Sequence, residues 1–235
     1  MGWELQKTFR EGLDSDLFGW SVGIYGNYAI VGDENAKTVY WYQRKNDGTW
    51  EETHQVTKGG NFGFSVGIYG NYAIVGDYVA GTVYWYQRKN DGTWVETHKV
   101  TESGGNFGYA VGIYGNYAIV GDNFANTVYW YQRKNDGTWV ETHQVTKSST
   151  SQFGYDVGIY GNYAIVGNYN ARKAYLYKRG RDGNGGESAW EEVGVVESSV
   201  TNFGFSVGIY GNYAIVGGTG GNSEQGIVNI YQNLR

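Results

Sequence analysis

Five aromatic residues, Trp20, Phe64, Tyr109, Tyr155 and Phe205, hold one position of a recurring pattern, each directly behind a Phe-Gly pair. Four of the same repeat units also carry a carboxylate or carboxamide at a second fixed position, Asp33, Asp77, Asp122 and Asn168. An aromatic face beside such a group suits a sugar ring, whose C–H groups pack on the ring while its hydroxyls need directional polar partners. These nine residues are therefore the expected ligand-binding set, one shallow site per repeat. The competing role for the aromatics is mechanical: large rings at the first residue of an inner strand would wedge neighbouring sheets apart.

Other residue types point away from chemistry. His54, His98 and His143 recur once per unit with no cysteine anywhere in the chain, so no metal site is expected and the imidazoles read as solvated. Ser21, Ser65 and Ser206 follow the aromatic position, but no equivalent histidine shares their face, and a nucleophile needs a base within hydrogen-bond reach. No Gly-x-Gly-x-x-Gly opens a helix. The expectation is no catalytic residue, no cofactor and no enzymatic activity.

The elements that position these residues follow from the repeat itself. Val-Gly-Ile-Tyr-Gly-Asn-Tyr-Ala-Ile-Val-Gly occurs five times unchanged, beginning at Val22, Val66, Val111, Val157 and Val207, and the preceding Phe-Gly pairs fall 44, 45, 46 and 50 residues apart. Such a period marks a propeller or solenoid of one supersecondary unit. Within the unit that starts at Phe107, strand signals cover Tyr109–Tyr114, Tyr117–Val120, Thr127–Arg133 and Trp139–Thr146, separated by Gly115-Asn116, a variable loop and Asn135-Asp136-Gly137. Both faces of the third strand are largely apolar, as expected for a small sheet sandwiched between two others.

Four antiparallel strands joined by hairpins make one propeller blade, and radial repetition protects the edges. The expected fold is all-β, a single five-bladed β-propeller over residues 1–235. The blades run over about 18–57, 62–101, 107–146, 153–197 and 203–235 plus 1–10. The last assignment rests on the termini: Gly2-Trp3-Glu4-Leu5-Gln6-Lys7 matches the start of a fourth strand (Trp50, Trp94, Trp139, Trp190), while Gly226–Gln232 matches a third. The N-terminal strand is thus expected to complete the last blade and close the ring. The fourth unit departs most, with a Gly-rich turn at 181–188 read as a longer hairpin.

The series Phe-Gly-aromatic, Tyr-Ala-Ile-Val-Gly, Val-Tyr-Trp-Tyr and Trp-x-Glu resembles the FG-GAP repeat of integrin α-subunit propellers and many bacterial proteins. The resemblance covers all five units and implies a propeller. Integrin-type repeats often carry an acidic calcium loop between strands one and two; Gly-Asn stands there instead, so calcium is not carried over.

Alternating strand direction puts the four-to-one and two-to-three connections on one face of the ring. The variable loops, among them Asp33–Lys37 and Asp122–Asn126, lie on that face, where recognition on a fixed scaffold usually sits. The net charge of −5, from 18 basic and 23 acidic residues without a like-charge block, excludes a phosphate-tracking stripe and hence a nucleic-acid partner. The first residues carry no apolar run and the longest apolar runs are strand-sized, so no leader and no membrane insertion are expected. These readings converge on a multivalent, lectin-like protein whose partners are glycans or glycoproteins. Two alternatives stand beside it: a protein-interaction or adhesion scaffold, and an engineered or recently amplified array with no selected ligand.

Overall fold

A computed structural model describes residues 2, 4–11, 17–148, 152–181, 187–221 and 225–233. The repeat folds as the strand signals require. Blade 1 comprises β1 (Phe18–Tyr25), β2 (Tyr28–Asp33), β3 (Thr38–Arg44) and β4 (Trp50–Thr57). Blade 2 comprises β5 (Ser65–Tyr69), β6 (Tyr72–Asp77), β7 (Thr82–Arg88) and β8 (Trp94–Thr101). Blade 3 comprises β9 (Ala110–Tyr114), β10 (Tyr117–Asp122), β11 (Thr127–Arg133) and β12 (Trp139–Thr146). Blade 4 comprises β13 (Phe153–Tyr160), β14 (Tyr163–Asn168), β15 (Lys173–Arg181) and β16 (Glu187–Glu197). Blade 5 comprises β17 (Ser206–Tyr210), β18 (Tyr213–Gly218) and β19 (Ile227–Gln232). All pairings are antiparallel between consecutive strands. The first hairpin of each blade turns on Gly26, Gly70, Gly115, Gly161 or Gly211, all with φ between 56° and 61°, the left-handed conformation a primed turn demands.

Blades join through their inner strands and through strands two and three. In the first joint Ile30, Val39 and Trp41 of blade 1 pack on Phe62, Val66, Ile68, Tyr86 and Trp94 of blade 2, all buried. The same set recurs between blades 2 and 3 and between blades 3 and 4. Trp41, Trp85 and Trp130 are fully buried there. The Phe-Gly pair has a direct role at each joint. A Cβ on Gly32 would lie 2.0 Å from the Gly63 carbonyl oxygen, and one on Gly76 would lie 2.0 Å from that of Gly108. Backbone therefore rests on backbone where one blade meets the next, which only glycine permits.

The expected closure into a five-bladed ring is corrected by the structure. Residues 2 and 4–11 form no strand, and blade 5 has three strands among the described residues; Met1 and Trp3 lie outside them. The inner strand of each blade packs on that of the next from β1 through β17. At the two ends the same side chains are bare: Val22 is 67% exposed where Val66 is 7%, and Ile230 is 70% exposed where Trp41, Trp85 and Trp130 are 0%. Phe9 instead lies 4.0 Å from the Tyr42 ring. Tyr86, Tyr131 and Tyr177 each meet a tryptophan of the preceding blade at that position, at 5.0 to 5.1 Å. The N-terminal segment thus covers part of the bare face of blade 1 rather than the edge of β19. The five sheets thus form an open arc, with blade 5 and blade 1 not joined to one another as the internal blades are.

Candidate functional site

At the start of the inner strands, the five predicted aromatics come together as a continuous arc. Centroid distances run 5.5 Å for Trp20–Phe64, 4.9 Å for Phe64–Tyr109, 5.1 Å for Tyr109–Tyr155 and 4.8 Å for Tyr155–Phe205. Tyr78 and Tyr169 from the variable loops add edge contacts at 4.6 Å to Phe64 and Tyr155. Tilted rings at these separations favour one another through their quadrupoles. Burial, followed by a hydrogen bond with Tyr155, raises the Tyr109 pKa. Trp20, at the free end of the arc, is 51% exposed.

The predicted polar partners do not share that arc's surroundings. Asp33, Asp77, Asp122 and Asn168 are buried at the ends of the second strands. Asp77 Oδ1 accepts from the amides of Asn61 (2.7 Å) and Ala80 (3.0 Å), and Asp122 Oδ1 from those of Asn106 (2.7 Å) and Ala125 (2.8 Å). Asp33 Oδ1 does the same with Leu17 and Ala36, and Asn168 Oδ1 with Ala171. Each aspartate ties the two-to-three loop to the segment entering its own blade, while Asn168 closes the loop on itself. Asx turns of this kind satisfy backbone donors that the loops would otherwise bury unpaired.

The slot behind the aromatic, read from sequence for nucleophiles, is a joint. Ser21 Oγ accepts the Val66 amide of the next blade at 3.0 Å, and Ser65 Oγ accepts that of Val111 at 3.0 Å. In blade 4 the slot holds Asp156, whose Oδ2 accepts the Val207 amide at 2.7 Å and whose Oδ1 accepts its neighbour Val157 at 2.9 Å. Desolvation is the largest influence on this carboxyl and pushes its pKa up to about 6, against the opposing pull of those hydrogen bonds. Sequence reasoning passed over Asp156; the signal was a lone carboxylate in a slot that elsewhere holds Ser or Ala.

The opposite ends of the inner strands carry a row of tyrosines that the sequence reading also missed. Tyr25, Tyr69, Tyr114, Tyr160 and Tyr210 stand 4.5 to 4.7 Å apart in succession. Burial and hydrogen bonds to Tyr25 and Tyr114 push Tyr69 up to about 12. The three histidines lie 5.4 Å from Trp41, Trp85 and Trp130, and burial lowers their pKa values, so they are half-buried neighbours of the core rather than solvated. Among the described residues no three His, Cys, Asp or Glu side chains cluster as metal ligands.

By sequence the chain matches no family model and no curated protein. By structure it is similar to a candidate 6-phosphogluconolactonase from Bacteroides uniformis, at TM-score 0.69 and 12% identity over 90% of this chain and 70% of that one. A candidate 6-phosphogluconolactonase from Bacteroides fragilis aligns at 0.67 and 13%, over 91% and 67%. Hsv2 of Kluyveromyces lactis aligns at 0.55 and 10%, over 77% and 61%. At these identities the likeness establishes the β-propeller architecture, with the neighbours' chains continuing beyond the arc. Two expectations are corrected here. The lectin reading fails, because two of these structural neighbours bear the name of an enzyme and the rim aromatics and buried carboxylates are engaged with the protein itself. The exclusion of enzymatic activity fails with it: two proteins on this fold carry the name of a lactone hydrolase.

Proposed function

We propose that this chain supplies most of a β-propeller of the FG-GAP type, whose ring is completed by further blades of the same kind. The observation that carries the reading is the pair of bare blade faces. Val22 and Ile24 at one end, and Ile215, Val228 and Ile230 at the other, are exposed, and each is the counterpart of a residue buried at the internal joints. Contiguous apolar surface of this kind marks an interaction face. Because the internal joints pair these same two faces, the ends are complementary halves of a joint already made within the chain. The FG-GAP assignment is supported by the Phe-Gly pair in every unit and by its close backbone approach to the preceding blade.

The test is extension. Fusing a copy of Lys89–Arg133, a hairpin turn and fourth strand plus the first three strands of the next blade, behind Asn233 buries one bare face; a second copy buries more. The melting temperature should rise with each copy and step to a maximum when the ring closes. A chain whose melting temperature stays flat or falls over two additions refutes the reading.

One observation favours a catalytic role for the completed ring. Asp156 is a carboxylate directly behind Tyr155 of the aromatic arc, with a pKa of about 6, in the range a general base requires, and the neighbours' name makes a sugar-phosphate lactone the substrate to try. Tyr109 and Tyr155 would line the bound ligand. Hydrolysis of 6-phosphogluconolactone by the chain, lost in Asp156→Asn, supports this role; no hydrolysis above the uncatalysed rate ends it.

A further inference from the structure

At three joints the first tryptophan of a fourth strand fills the same socket. Trp94 stacks on Trp41, Trp139 on Trp85 and Trp190 on Trp130, at 5.8 to 5.9 Å and 23° to 26° between planes. Tyr72 and Tyr117 meet Trp139 and Trp190 edge-on at 6.4 Å. Between blades 4 and 5 the socket's walls are present: Leu176 takes the place of Trp130, Tyr163 that of Tyr117, and Tyr231 that of Tyr177. The tryptophan has no counterpart among the described residues of blade 5, and a cavity of about 420 Å³ lies there instead, lined by Tyr163, Leu176, Lys178, Tyr231 and Asn233 among others. The adjoining edge is open too, since β19 pairs with β18 alone.

Register connects the cavity with the edge. In blade 3 Trp139 sits opposite Arg133, the residue after the Tyr131-Gln132 pair. The corresponding residue behind Tyr231-Gln232 is Asn233, a cavity wall. A strand added to β19 in the register of the other blades would deliver its leading tryptophan into the cavity. Lys178 stands where the first three blades carry Gln43, Gln87 and Gln132, and it lines the same cavity.

We propose that the β19 edge and the cavity beside Leu176 form a binding site for an extended peptide strand led by a tryptophan, supplied by another polypeptide. The ladder of main-chain hydrogen bonds gives the strand its affinity, and the buried indole gives its specificity. The site goes beyond ring completion, because it takes one strand rather than a blade and depends only on the joint between blades 4 and 5.

The test titrates the peptide Trp-Val-Glu-Thr-His-Gln-Val-Thr, the β12 sequence, into the full chain by calorimetry. A second peptide with alanine in place of the leading tryptophan is titrated alongside. One peptide should bind per chain, and loss of the indole should weaken binding by about tenfold or more, as for a buried aromatic anchor. Leu176→Trp, which restores the stacked pair of the other joints, should tighten binding several-fold. Equal binding of the two peptides, or none at millimolar concentration, overturns the proposal. A concentration-dependent dimer of the chain that the peptide disperses also overturns it, assigning the edge to a second copy. A flat extension series with intact tryptophan-dependent binding would remove ring completion and leave this site in place.

Discussion

Replacing Asp156 by serine gives blade 4 the joint residue of blades 1 and 2 and removes the one carboxylate from that slot. The serine hydroxyl can accept the Val207 amide as Ser21 accepts that of Val66 and Ser65 that of Val111, so the inter-blade bond survives. What changes is the pH dependence. The folded pKa of about 6 lies roughly two units above the ordinary aspartate value of 3.8, equivalent to about 3 kcal/mol. Because the side chain retains some access to solvent, about 1 to 3 kcal/mol is the working range. The sign follows from linkage: the folded state holds the proton more tightly than the unfolded one. Stability is therefore greatest below about pH 4, falls as pH rises toward 6, and the full cost is present above that. The three histidines, with lowered pKa values, lose stability in the opposite direction, as pH falls through their unfolded value of 6.5, but they are common to both chains. The difference between parent and Asp156→Ser, from urea unfolding at pH 4, 6 and 8, isolates the aspartate. The variant should gain about 1 to 3 kcal/mol on the parent between pH 4 and pH 8. A difference that is constant across that range refutes the assignment of a strained carboxylate to this joint.

The open arc sets three more expectations. Gly76→Ala would press a methyl group to 2.0 Å from the Gly108 carbonyl oxygen and should cost about 3 kcal/mol or more, whereas at Gly217 the nearest atom is 3.8 Å away and alanine should be tolerated; thermal melts of the pair separate the two. Ile68→Ala should cost about 2 to 5 kcal/mol and Ile24→Ala under about 1, since the first side chain is buried in a joint and the second faces solvent; equal losses would mean that blade 1 is covered in solution. EDTA should leave the melting curve in place, because Gly26-Asn27 and its equivalents offer no run of oxygen ligands; a drop reversed by calcium would reveal a site in the two-to-three loops.

The repeat makes much of this molecule legible before any coordinates. The Gly-Asn hairpins, the third strand apolar on both faces and the strand at Thr127–Arg133 depend on local φ preferences and side-chain alternation, which a sequence states directly. Closure was not legible. The segment after Met1 matches a fourth strand in pattern, yet strand pairing is a choice between distant partners, and here Phe9 takes the bare face of Tyr42. The same limit holds at the rim. Trp20, Phe64, Tyr109, Tyr155 and Phe205 were recognisable as a set, but only the placing of adjacent blades decides that the rings meet one another. Asp77 and Asp122 were recognisable as recurrent carboxylates; their engagement by Asn61 and Asn106, 16 residues earlier in the chain, needs the blade's own entry segment folded over the loop. Residue type fixes what a group is able to bond. The direction in which it points, and which neighbour reaches it first, is set by how strands, loops and blades pack on one another, which residue type alone does not state.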